Sequence, residues 1–97
     1  MIKNLSQLKR AIQIGTVFEI VEHYVRPEYA GQKRIVQVVQ TNGFYSGIYG
    51  DPNHELSKVN YGKGVWMEFG KASNWEFRND ICICKDCFAI KILEVKK

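Results

Sequence analysis

The chain has 97 residues, a formal charge of +4 and a pI near 9.0, with 45% hydrophobic and 12% aromatic residues. These proportions exclude a disordered or low-complexity chain, and the length fits a single domain over 1–97 without room for a second core. No apolar run approaches the roughly 18 residues of a membrane span, and the polar opening Met1-Ile2-Lys3-Asn4 lacks the apolar core of a signal peptide, which points to a cytoplasmic protein with no membrane contact.

Asn4 is placed to cap a helix over residues 5–14, with Gly15 as its left-handed stop. Leu5, Leu8, Ala11 and Ile12 form one apolar stripe, and a helix this short needs an apolar surface to dock on. Residues 16–25 are rich in β-branched and aromatic side chains and read as a strand that Arg26-Pro27 ends. A second strand follows at 34–41.

Asn42-Gly43 between two β-type runs predicts a two-residue hairpin loop with positive φ at both positions. That register sets Thr41 opposite Phe44, Gln40 opposite Tyr45, Val38 opposite Gly47 and Val36 opposite Tyr49. One face then carries Val36, Val38, Tyr45 and Tyr49, the other Ile35, Val39, Phe44 and Ile48. Both are apolar, so the hairpin is expected to be covered on both sides or to curl into a barrel. Residues 50–64 lack periodicity and read as a long loop carrying His54. Strands follow at 65–69 and 75–77, a tight reversal at Asn79-Asp80, and a last antiparallel pair at 81–84 and 88–95, with Phe88, Ile90 and Ile92 pointing one way and Ala89, Lys91 and Leu93 the other. The fold class expected is α+β: one N-terminal helix packed on a strongly bent antiparallel β-sheet or a small β-barrel.

All three cysteines fall in Cys82-Ile83-Cys84-Lys85-Asp86-Cys87. Cys84 and Cys87 form a C-x-x-C unit at a chain reversal, and Cys82 faces the same way as Cys84 by strand alternation. Three thiolates converging there need one more ligand for a tetrahedral zinc ion, and His54 on its loop is the candidate; His23 is fixed in the first strand between Val21 and Val25. Lys85 is expected to favour the thiolate form. The other reading of the same residues is three reduced thiols on a strand.

No Gly-rich phosphate loop, paired carboxylates on one face or nucleophile elbow is evident, and the chain is not read as an enzyme. The stretches Leu5-Ser6-Gln7-Leu8-Lys9-Arg10, Gln40-Thr41-Asn42-Gly43-Phe44-Tyr45 and Phe69-Gly70-Lys71-Ala72-Ser73-Asn74-Trp75-Glu76-Phe77 give a layout that resembles short β-rich proteins encoded by phages and mobile elements. That class includes anti-CRISPR proteins, some of which bind a metal. The resemblance implies an inhibitor of a host defence protein such as a CRISPR-Cas nuclease. A DNA mimic must be acidic, and this chain is basic, so inhibition would proceed by protein–protein contact.

The alternative is a small basic β-barrel that binds single-stranded nucleic acid. There Tyr45 and Tyr49 stack bases while Lys33, Arg34 and Arg78 contact phosphates. Against it stands the packing of those tyrosines beneath the helix. Trp66 and Trp75 are interface anchors wherever they are exposed.

Overall fold

The computed structural model describes residues 2–50 and 64–95. Its helix α1 spans Leu5–Ala11, and Asn4 caps it: the Gln7 amide donates to Asn4 Oδ1 at 2.9 Å, while Gln7 Oε1 accepts from the Lys3 amide at 2.7 Å. This reciprocal pair satisfies donors that a helix start leaves orphaned. The helix stops short of residue 14 because Thr16 takes over its end. The buried Thr16 hydroxyl donates to the Ala11 carbonyl at 2.8 Å and accepts from the Gln13 amide at 3.2 Å. Ile12 thereby leaves the helix and enters the core, and Gly15 turns at φ 97° to donate to the Val36 carbonyl.

Seven strands follow: β1 (Val17–His23), β2 (Lys33–Gln40), β3 (Gly43–Ile48), β4 (Val65–Glu68), β5 (Trp75–Arg78), β6 (Ile81–Cys84) and β7 (Phe88–Glu94). They form one antiparallel sheet in the order β4-β3-β2-β1-β7-β6-β5. Among the described residues a closed barrel, one of the two forms expected, is not realised: β4 and β5 are both edges of the ladder. β1 lies at the centre because it pairs with β2 on one side and with β7, from the far end of the chain, on the other.

The core lies on one face of this sheet. Leu5, Leu8 and Ile12 of the helical segment pack with Phe18 and Ile20 of β1, Val36 of β2, Phe44 of β3 and Met67 of β4. Val65 of β4, Phe69, Trp75 of β5, Cys82 and Cys84 of β6, and Phe88 and Ile90 of β7 complete the same cluster. Aromatic edges set its geometry: Phe18 meets Phe44 at 5.7 Å and 86°, and Trp75 meets Phe88 at 5.8 Å and 70°. The Lys9 ammonium sits 5.4 Å from the Phe69 ring centre, so the stem of a surface lysine closes the rim of the core.

One hairpin turn lies where the sequence places it, and the other is shifted by one residue. Asn79 and Asp80 carry the positive φ values of a tight two-residue turn, 49° and 67°, and join β5 to β6. Thr41 and Asn42 form the β2–β3 loop, with Gln40 paired to Gly43, and neither has positive φ. The expected register is therefore displaced: Val39 opposes Phe44, Val38 opposes Tyr45 and Val36 opposes Ser46. A bulge at Gln37, between Val36 and Val38, turns Val36 inward with Phe44 while Val38 stays outward with Tyr45. Gly43 is needed for space. A Cβ there would lie 2.4 Å from the Met67 carbonyl oxygen and 2.6 Å from the Trp66 ring.

Candidate functional site

Cys82 and Cys84 face the same way, as alternation requires, and that way is into the core. They are 1% and 4% exposed, whereas Cys87 is exposed at the reversal where Asp86 adopts φ 64°. Burial pushes the Cys82 thiol up to about 11. Burial, and then a hydrogen bond with Cys87, push Cys84 up to about 12. The expected activation by Lys85 is not seen at these two thiols, where loss of water around the thiolate is the largest effect. Among the described residues, no three His, Cys, Asp or Glu side chains come together to hold a metal ion. Only Cys84 and Cys87 of the expected zinc set interact, and His54 lies outside the described residues.

His23 is fixed at the end of β1. Its Nδ1 accepts from the Arg26 amide at 3.0 Å, and its ring lies 5.3 Å from Tyr29 and 6.0 Å from Phe88. Loss of solvent holds its pKa below the ordinary value, and Arg26 adds to this against the opposing Glu28. Accepting at Nδ1 requires the neutral ring with its proton on Nε2.

Arg34 is the largest side chain in the fully buried set, at 2% exposure, and so is withdrawn from any phosphate. Its guanidinium donates to the Ser46 carbonyl at 2.8 Å, to Ser46 Oγ at 3.4 Å and to Gln32 Oε1 at 3.0 Å, and it lies 6.0 Å from the Tyr29 ring. These acceptors are neutral, and burial lowers its pKa. It is a structural cation that ties β2 to β3.

The outer face of the sheet is where chemistry is available to a partner. Tyr45 and Trp66 are directly opposed across β3 and β4, both half-buried, with ring centres 4.9 Å apart. The Trp66 indole donates to Glu68 Oε1 at 3.5 Å, and Tyr49 is 49% exposed. Tyr45 and Tyr49 are therefore not packed beneath the helix, and of the two tryptophans only Trp75 is core. Across the middle strands Glu19 is opposed by Lys33 on one side and Lys91 on the other. Near the β5 edge Glu76 pairs with Arg78 on the same strand. Among the described residues, outward strand positions thus hold four carboxylates, Glu19, Glu22, Glu68 and Glu76, against three cations, Lys33, Lys91 and Arg78.

The Tyr45–Trp66 pair was not foreseen, because Trp66 reaches β3 only after the long 50–64 segment. Its one sequence signal is Gly43, which leaves room for a large ring from the next strand. No family model, no curated protein and no solved structure matches the chain. Among the described residues no helix is long and apolar enough to cross a membrane.

Proposed function

We propose that this chain is a non-enzymatic binding protein of the phage or mobile-element kind. It inhibits a host defence protein, such as a CRISPR-Cas nuclease in the host cytoplasm, by protein–protein contact through the outer face of its sheet. The observation that carries this reading is the composition of that face. An aromatic pair, Tyr45 and Trp66, stands among charges of both signs that nearly cancel. Protein interfaces are anchored by tyrosine and tryptophan within a mixed polar rim. A nucleic-acid surface needs a net positive field along the backbone path.

The single-stranded nucleic-acid reading keeps its aromatic platform and loses most of its cations. Arg34 is buried and Arg78 is engaged by Glu76, which leaves Lys33 beside Glu19.

The sheet that presents this face is strongly bent in our reading. Seven strands laid flat span about 29 Å from first to last. Yet residues 69–74 carry the chain from one edge to the other, and the Trp75 indole donates to the Phe69 carbonyl. The outer face is then convex, a shape suited to entering a cleft between the lobes of a larger protein.

The test is inhibition of a panel of purified defence nucleases by the wild-type protein and by Trp66→Ser. One nuclease inhibited by the wild type, with inhibition weakened about tenfold or more by the substitution, supports the proposal. Absence of inhibition across the panel, together with single-strand binding that falls steeply with salt, overturns it in favour of the nucleic-acid reading.

A further inference from the structure

We propose that two copies of this chain join edge to edge through β5, antiparallel, about a two-fold axis at Phe77. Among the described residues β5 pairs with β6 alone, so its other side is an open edge. The two-residue turn at Asn79-Asp80 makes Arg78 and Ile81 the hydrogen-bonded closing pair of the hairpin. Alternation then directs the backbone groups of Glu76 toward β6, and those of Phe77 toward the open edge. The Trp75 amide is already used, donating to the Ala72 carbonyl. Among the described residues, no strand takes up the N–H and C=O of Phe77 on that side.

The side chains select the partner. Trp75 and Phe77 face inward, stacked at 6.0 Å and 18°, while Glu76 and Arg78 face outward. A two-fold axis perpendicular to the sheet keeps outer faces together only when one residue directly opposes its own copy across the axis. Centred on Glu76 or on Arg78, it sets like charges opposite each other. Centred on Phe77, it sets Glu76 of each copy opposite Arg78 of the other, and the two Phe77 residues exchange reciprocal N–H···O=C bonds. Within one chain Glu76 and Arg78 are already paired, so the dimer closes an alternating square of four charges. Edges built to prevent pairing use lysines or charges of one sign, which repel in every register. The Glu-Phe-Arg order here repels in the two adjacent registers and attracts in the one centred on Phe77.

The experiment is sedimentation equilibrium of the full chain from micromolar to about 1 mM at low salt, for wild type, Glu76→Arg and Arg78→Glu, with circular dichroism to confirm folding. The wild type is expected to form a dimer. Each single variant places like charges at both junctions and is expected to dimerise about tenfold or more weakly. An equimolar mixture of the two variants restores both attractive pairs and is expected to recover association as a heterodimer. The exchanged chain carrying E76R and R78E together is expected to recover the homodimer. A monomeric wild type at the highest concentration overturns the proposal. So does dimerisation unchanged in both single variants, or a mixture of folded variants that fails to associate.

Discussion

Gly43→Ala tests the packing of the candidate binding face more directly than any change at the aromatics themselves. The added Cβ would sit 2.4 Å from the Met67 carbonyl oxygen and 2.6 and 2.9 Å from two atoms of the Trp66 ring. The ring can rotate away, but the carbonyl belongs to β4 and moves only if β3 and β4 separate. Relief of such overlap typically costs about 1–3 kcal/mol. For a domain of this size that corresponds to a fall in Tm of roughly 4–24 °C. Gly43→Asn discriminates between the two reasons for a glycine here. Asparagine tolerates positive φ, so it would be mild if the turn required that conformation. Because the requirement is space, Gly43→Asn is expected to be at least as destabilising as Gly43→Ala. Thermal and urea denaturation measure the loss, and tryptophan fluorescence reports the displacement of Trp66. An asparagine variant within about 0.5 kcal/mol of wild type refutes the reasoning.

Of the three thiols, Cys87 is expected to react with a disulfide reagent at pH 8 on the order of 10²-fold faster than Cys82 and Cys84, which need local opening of the core. The same pattern after treatment with a chelator assigns the protection to burial; release of two fast thiols by the chelator would instead assign it to a bound metal. Stability is also expected to fall in mild acid through His23. The unfolded ring takes up a proton near 6.5, and the folded ring only at lower pH. The contribution of the neutral ring is complete above 6.5 and is lost as pH falls through the lower folded value. Urea midpoints between pH 5 and 8 should therefore slope less for His23→Gln than for wild type, and equal slopes would count against the Nδ1 acceptor role.

Local signals carried the elements and failed where distant strands decide. All seven strands lie where β-branched and aromatic runs place them, and the Asn4 cap begins the helix as expected. The β2–β3 register was lost to one residue. Nothing in Val36-Gln37-Val38 marks Gln37 as the bulge, since a polar residue between two valines reads as ordinary alternation. The cysteines show the same limit. Alternation put Cys82 and Cys84 on one side, but Ile81 and Ile83 make the other side equally apolar. Only the docking of α1 and the β1–β7 ladder decide which side is core. Lys33-Arg34 looks like a surface pair, yet strand alternation sends the Arg34 guanidinium inward.

The two proposals meet in the order of the strands. β4, which carries Trp66, and β5 are opposite edges of one sheet. A dimer through β5 therefore uses neither β4 nor the Tyr45–Trp66 pair in its ladder, so each copy keeps its own pair on the outer face. The charges consumed at the junction, Glu76 and Arg78, are one carboxylate and one cation per chain. Dimerisation thus leaves the balance of the outer face unchanged. A partner engaged through Tyr45 and Trp66 would be bound bivalently only if it presents two sites at matching separation. Such a partner would bind Glu76→Arg and Arg78→Glu more weakly than wild type, through avidity alone. A partner with a single site would bind the variants and the wild type equally, while Trp66→Ser would weaken binding of either kind.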